Sequence, residues 1–330
     1  MAQAGTGYAA EAADTVRSLG EWLLRVGTSK LPPTIHREPP MSLDDQWFSE
    51  AFESEGVAFS LRVHRKLLDE RTRYQHIQVF ETSHWGNVLT LDGCVMLTTR
   101  DNFLYHEMMA HPALFTHADP RRVLIIGGGD CGTLREVLRH PGVERAVLVD
   151  IDEGVTRASE RFFPELTEAN GDPRAELRFT DGVAYVRDTP ADSFDVVIID
   201  STDPVGFAEG LFGAPFLREV HRVLDDGGLV MQQSESPLFH ADTLIRDLHG
   251  ALAEAGFDQR VTLPFPVPSY PGGWWSATLA GRGTPVYGFR EADVAARPFS
   301  TRYYDAGTHH GALAPPPFCA GVFHPTASAG

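Results

Sequence analysis

The residues with the clearest capacity for chemistry stand together at the end of one predicted strand. Phe194-Asp-Val-Val-Ile-Ile199 is apolar enough to be buried, and it delivers Asp200, Ser201, Thr202 and Asp203 at its carboxyl end. A single aspartate there would often be a helix cap. Two of them three residues apart, with Pro204 behind and with Asp130 and Asp150 nearby, form a negative pocket that either binds a metal or holds a cation. No histidine cluster accompanies them, which favours an organic cation over a metal. A carboxylate so placed can also accept a proton from an ammonium group and leave a nucleophilic amine.

The elements that must position these acids begin at Val123-Leu-Ile-Ile126, followed by Gly127-Gly-Gly129-Asp-Cys-Gly132. Glycines at G-x-G-x-x-G spacing directly after a strand, with a helix expected at 133–139, permit close backbone approach and present unpaired N–H groups to a ligand. A nucleotide or nucleoside belongs here, with Gly127 and Gly129 in its cradle. The next strand ends Leu148-Val-Asp150-Ile-Asp152, and Asp150 follows Gly132 by 18 residues, near the separation at which an acid reaches ribose hydroxyls. The competing role, capping the following helix, suits Asp152 better. Asp181-Gly182 ends the third strand, where a carboxylate could accept an adenine amine, although Asp-Gly taken alone is a turn signal.

Strands are expected at 122–126, 145–150, 175–180, 194–199, 228–233, 259–265 and 275–280, and helices near 133–139, 154–162, 183–187, 211–224 and 240–256. This alternation predicts an α/β fold, a Rossmann-like seven-stranded sheet of the methyltransferase type, with its last two strands an antiparallel hairpin at one edge. Before it, strands at 58–63, 74–81, 88–91 and 95–98 are separated by turns such as Asp92-Gly93, which predicts a small antiparallel β domain. A helix at 102–115 bridges the two. Residues 1–45, with a possible amphipathic helix at 11–26 followed by Pro32, Pro33, Pro39 and Pro40, read as an appended extension, so the expected division is 1–45, 46–100 and 101–330.

Composition narrows the partners. With 28 Lys and Arg against 45 Asp and Glu, a formal charge of −17, the chain lacks the basic footprint of a nucleic-acid binder. Cys94, Cys131 and Cys319 show neither disulfide nor zinc spacing. With no apolar run of membrane-spanning length and no export signal, the expectation is a cytoplasmic protein without membrane association.

Several motifs in register resemble the spermidine synthase (polyamine aminopropyltransferase) family: VLIIGGGDCGTLRE from Val123 to Glu136, Arg73-Tyr-Gln75, Leu91-Asp-Gly93, Phe103-Leu-Tyr-His-Glu-Met108, Asp200-Ser-Thr-Asp-Pro-Val-Gly206, Ala208-Glu-Gly-Leu-Phe212 and Tyr270-Pro-Gly-Gly273. The likeness runs from about Trp47 to Phe318. It implies transfer of a 3-aminopropyl group from decarboxylated S-adenosylmethionine, as co-substrate and without a metal, to a diamine such as putrescine, giving spermidine and methylthioadenosine. It also implies that Gln75, Asp150 and Asp181 hold the nucleoside, while His106 and Asp130 face the donor's aminopropyl end. Asp200 takes the proton from the attacking amine or orients it. Asp203 and Gln233 hold the acceptor's far end, and Tyr105 and Tyr270 line its slot. A homodimer or homotetramer is the implied assembly.

The sequence departs from that family's pattern. Cys131 replaces a usual Gly, Asp150 and Asn102 replace Glu, Phe207 replaces Pro, and Glu53-Ser-Glu-Gly56 stands where Trp-Pro-Gly is usual. These changes keep a second reading open, an amine methyltransferase or related enzyme using intact S-adenosylmethionine on the same fold. A third is a non-catalytic polyamine or nucleoside binder.

Overall fold

Short runs rich in β-branched and aromatic residues pair with their chain neighbours first. The computed structural model of the chain describes residues 43–202 and 210–325, so the predicted helix at 11–26 and residues Asp203, Pro204 and Phe207 lie outside the described residues. Strands β1 (Trp47–Phe52), β2 (Val57–Arg71), β3 (His76–Thr82), β4 (Asn87–Leu91) and β5 (Cys94–Thr98) form an antiparallel sheet in chain order. Asp92 and Gly93 both take positive φ at the β4–β5 turn, the backbone twist that a two-residue hairpin needs.

Two features of this sheet were not foreseen. β1 pairs with β2 from Trp47↔Arg62 to Phe52↔Val57, through a turn at Glu53–Gly56 in which Gly56 has φ +66°. β2 runs on to Arg71, well past the expected 58–63, because its polar half is held by pairing with β3 and by cross-strand contacts such as Arg65–Glu81 at 2.7 Å.

The buried face of this sheet, Ile77, Val79, Leu89, Leu91 and Leu97, packs on Val155 and Ala158 of helix α3 (Glu153–Phe162) and on Leu166 of α4 (Pro164–Thr167). Helix α1 (Asn102–Thr116) follows β5 and is buried along most of its length despite Pro112. The remaining strands are β6 (Arg122–Gly127), β7 (Arg145–Asp150), β8 (Ala175–Phe179), β9 (Phe194–Asp200), β10 (Leu224–Gln233), β11 (Gln259–Pro266) and β12 (Trp274–Gly281). Among the described residues they make a seven-stranded sheet of order β11-β12-β10-β9-β6-β7-β8. β6 to β10 are parallel, and β12 and β11 add antiparallel to β10, the edge hairpin expected from Pro271-Gly-Gly273.

Helices α2 (Gly132–Leu138), α5 (Gly182–Asp188) and α6 (Ala214–Val223) complete the alternation. Both faces of the sheet are covered by apolar clusters, so β9 is buried at every residue and its centre, Val196–Ile199, is wholly apolar. The helix expected at 240–256 is instead α7 (Pro237–His240), a π turn at Ala241–Ile245 and α8 (Arg246–Glu254). β10 starts at Leu224, earlier than the expected 228, because a register shift between Leu224 and Leu229 absorbs Gly227 and Gly228. Three short helices, α9 (Glu291–Ala296), α10 (Ala306–Ala312) and α11 (Ala320–Phe323), were not foreseen. No helix among the described residues is long and apolar enough to cross a membrane.

Candidate active site

Gly127 pairs with Asp200 across β6 and β9, so the glycine loop meets the acid where the strand order reverses, the usual ligand crevice of such sheets. A Cβ on Gly127, where φ is +80°, would lie 2.2 Å from the Asp200 carbonyl oxygen. One on Gly129 would lie 2.8 Å from Asp150 Oδ2, and one on Gly132 only 2.3 Å from the His106 ring. The loop therefore needs glycine at all three positions for contact, and at Gly127 for conformation as well. Cys131 takes φ +69° without being glycine, and its thiol is buried, with burial and then Asp130 pushing its pKa up to about 12.

Asp200 is 7 % exposed and is held at three points. Its carbonyl accepts the Gly128 N–H at 2.7 Å. Its Oδ1 accepts the Tyr105 hydroxyl and its Oδ2 the Thr133 hydroxyl, both at 2.6 Å. Burial, then the charge of Asp130, raises the Asp200 pKa above the usual carboxylate range, against the opposing pull of His106 and the two hydroxyls. The Tyr105 phenol is raised in turn, by burial first and then by Asp200. Ser201 Oγ is buried with no hydrogen-bond partner among the described residues.

The other acids divide by environment. Asp130 Oδ1 lies 3.1 Å from His106 Nε2 and accepts the Gly132 N–H at 2.7 Å. Burial opposes its ionisation, yet His106 and that N–H hold its pKa below the usual value. Asp150 accepts the Asp152 N–H at 2.7 Å, and burial raises its pKa to about 6. Asp152 caps α3 through Gly154 N, as its position suggested, and it also accepts Thr72 Oγ1 at 2.7 Å and Gln75 Nε2 at 3.0 Å. Gln75 thus reaches the Asp150 region by way of the cap. Asp181 is exposed, and its Oδ1 caps α5 through the N–H groups of Val183 and Ala184, so Oδ2 is the oxygen that the cap leaves over.

A narrow cavity of about 40 Å³ opens beside Asp200, lined by Tyr105, Ser201, Thr202, Gln233, Tyr270 and Trp275 on one side and by Glu50, Phe52, Cys94 and Met96 of the small sheet on the other. Tyr270 presents its ring, 5.9 Å from that of Tyr105 and 4.8 Å from Trp275, while its hydroxyl donates to the Met96 carbonyl at 2.6 Å. Gln233 Nε2 faces the Thr202 carbonyl at 3.4 Å, and its Oε1 accepts the Glu235 N–H at 3.2 Å. The larger cavity, about 590 Å³ around His117, Arg122, Asp195 and Asp225, lies at the opposite ends of the strands and contains none of these residues.

Sequence reasoning missed Thr133, Glu50 and Glu235. Thr133 was detectable as the first side chain after the glycine loop. Glu50, 6 % exposed with Oε2 on the Val95 N–H at 2.9 Å, is an acid on an aromatic strand that was itself overlooked. Glu235 is buried at φ +68°, a conformation that costs a non-glycine residue and that collects at functional sites. Asp203 lies outside the described residues.

A Rossmann-like sheet with an acid-rich switch point, a glycine loop and a cavity capped by a small β sheet is an arrangement suited to a group-transferring enzyme. Residues 102–286 match the family model of the spermine/spermidine synthase domain, and residues 46–99 that of the spermidine synthase tetramerisation domain. The chain belongs to the spermine/spermidine synthase family and is an aminopropyltransferase. It is 65% identical over 282 residues to the polyamine aminopropyltransferase of Alkalilimnicola ehrlichii, covering 86% of this chain and 99% of that one. With that of Halorhodospira halophila it shares 62% over 270 residues, 82% of this chain and 97% of the relative. Among solved structures, a spermidine synthase in complex with the transition-state analogue AdoDATO superposes with TM-score 0.81 at 32% identity, covering 87% of this chain and 98% of that one. The spermidine synthase of Thermotoga maritima gives 0.79 at 32% identity, covering 89% and 99%.

Proposed function

We propose that this enzyme transfers the 3-aminopropyl group of decarboxylated S-adenosylmethionine to putrescine, giving spermidine and methylthioadenosine. The observation that carries the reading is the Asp200 carboxylate, held by Thr133 on the glycine-loop side and by Tyr105 on the cavity side. The AdoDATO complex of a structural relative supports the donor. In this reading the glycine loop at Gly127 and Gly129, with Gln75, Asp150 and Asp181, holds the nucleoside. His106 and Asp130 face the aminopropyl end, and the Asp130 carboxylate attracts the donor's ammonium and repels the carboxylate of intact S-adenosylmethionine.

The acceptor lies in the cavity, its methylenes against Tyr105, Tyr270 and Trp275. Gln233 and, from the sequence, Asp203 take its far end. The amine nitrogen forms a bond to the carbon beside the sulfonium while the C–S bond breaks and its electron pair stays on sulfur. Asp200 receives the proton that the ammonium gives up, and Tyr105 keeps the carboxylate aimed at it. Alignment of nitrogen, carbon and sulfur inside a cavity from which water is excluded supplies most of the rate. The small sheet closes the cavity and, by its likeness to a tetramerisation domain, joins the chains into a homodimer or homotetramer.

The test is a mass-spectrometric assay crossing decarboxylated and intact S-adenosylmethionine with putrescine, cadaverine, agmatine and spermidine. Methylthioadenosine from the decarboxylated donor, fastest with putrescine, is the expected result. S-adenosylhomocysteine as the nucleoside product would instead make the enzyme a methyltransferase, and faster turnover with another amine would reassign the acceptor.

A further inference from the structure

The helix that carries Tyr105 and His106 is gripped by a stretch of chain beyond both matched domains, which end at residue 286. Glu107, next to His106 on α1, is 1 % exposed. Its Oε1 accepts the N–H of Arg302, and its Oε2 those of Tyr303 and Tyr304, all at 2.8 Å. Three successive backbone N–H groups converging on one buried carboxylate make a directional clasp, since hydrogen bonds to a charged acceptor are stronger and geometrically stricter than neutral ones.

The same stretch holds α1 elsewhere. Arg290 donates to the carbonyls of His117 and Leu114, each at 2.8 Å, which occupies helix-end acceptors. The Tyr304 ring stacks on Phe115 at 5.7 Å and 4°, Phe299 stacks on His111 at 5.4 Å, and Arg302 sits 3.7 Å over the Phe103 ring. The contacts run from Phe103 to His117, nearly the whole helix. Successive residues of an α-helix are turned by about 100° and raised by about 1.5 Å, so one rigid-body setting places Tyr105, His106 and Glu107 together. A slide or roll that loosened the clasp would carry the Tyr105 hydroxyl away from Asp200 and His106 away from Asp130.

We propose that Glu107 is a positioning residue for the transfer reaction: by holding the backbone of residues 302–304 it fixes the setting of α1 at which Tyr105 meets Asp200 and His106 meets Asp130. This rests on the reading of Asp200 as the proton acceptor. The kcat of Asp200→Asn against wild type with decarboxylated donor and putrescine, measured first, decides that reading separately, and the Glu107 variants then report on Glu107 alone.

In Glu107→Gln one oxygen becomes an amide that cannot accept, so the clasp loses part of its N–H set. The expected result is a folded protein, by near-ultraviolet circular dichroism, with kcat lowered about tenfold and the acid limb of its pH profile moved to higher pH. Loss of the Tyr105 hydrogen bond removes an interaction that favours the Asp200 carboxylate, while Asp130, His106 and Thr133 continue to face it. Tyr105→Phe, which removes that bond directly, should move the limb in the same direction. A Glu107→Gln protein that melts earlier but keeps the wild-type kcat, KM and pH profile would overturn the proposal. Should that variant fail to fold, Glu107→Asp tests the same clasp, since it keeps both accepting oxygens but draws them back by one methylene from the N–H groups of residues 302–304. It should move the acid limb the same way by a smaller amount, and an unmoved limb in a folded Glu107→Asp protein overturns the proposal equally.

Discussion

Asp200 and Asp150 are both buried acids with raised pKa values, but the sign of the consequence differs with the job. If Asp200 is the proton acceptor proposed above, it works only when ionised, so the rate should fall as pH drops through a value above the ordinary carboxylate range. Asp200→Asn should leave the fold intact and cost roughly 10²–10⁴-fold in kcat, with donor affinity little changed. Asp150 holds its proton more tightly folded than unfolded. Its stabilising contribution is therefore complete below the ordinary 3.8 and is lost as pH rises through about 6. Asp150→Asn should consequently gain about 1–2 kcal/mol in thermal stability at pH 7–8, once screening on its exposed side is allowed for, while weakening donor binding. Ribose hydroxyls that donate to Asp150 favour its charged form, so donor binding near pH 6 should release a proton. Isothermal calorimetry in buffers of different ionisation enthalpy would detect it, and a binding heat independent of buffer would contradict ribose contact at Asp150.

At the scale of elements, the glycine loop and α1 are fitted to each other. Gly132→Ala would drive a methyl group into the His106 ring, which lies 2.3 Å from the position of that Cβ. A fall in kcat/KM of roughly 10²-fold with little loss of helix content is the expected outcome, since a displacement of about an ångström at a reacting group has that order of effect. Cys131→Gly acts the other way. It relieves a left-handed residue, worth about 1–2 kcal/mol, and leaves a small cavity that offsets the gain, so melting temperature and activity should both stay near wild type. The loop, β9 and Asp200 were legible because each is a local signal: glycines after an apolar run, then a wholly buried strand ending in an acid. The place of Thr133 after the glycine loop was detectable, but its part and that of Glu50 were not, because they depend on partners 67 and 45 residues away. The short helices α9, α10 and α11 carry too little periodicity to be read, and the stretch from Arg290 to Tyr304 takes its order from Glu107 and the end of α1.

At the scale of the molecule, the alternation from Arg122 onward was enough to give a mixed seven-stranded sheet with an edge hairpin, since parallel strands covered on both faces must be apolar throughout. The small sheet was legible in its hairpin turns but not in its first strand or its true extent, where pairing rather than hydrophobic pattern sustains β1 and the far half of β2. If that sheet joins chains, sedimentation velocity should show a mass of two or four chains at micromolar concentration. A variant lacking residues 46–99 should then sediment as a single chain without turnover.

The double grip on the Asp200 carboxylate also has a thermodynamic consequence. One oxygen is tied to the helix that follows the glycine loop and the other to a tyrosine in the wall of the narrow cavity, the two places proposed for donor and acceptor. A ligand that orders either wall alters the free energy of occupying the other, and the two effects must be equal. Methylthioadenosine should therefore change the dissociation constant of putrescine by the same factor by which putrescine changes that of methylthioadenosine. In Thr133→Val, where one tie is missing, both factors should move together toward unity.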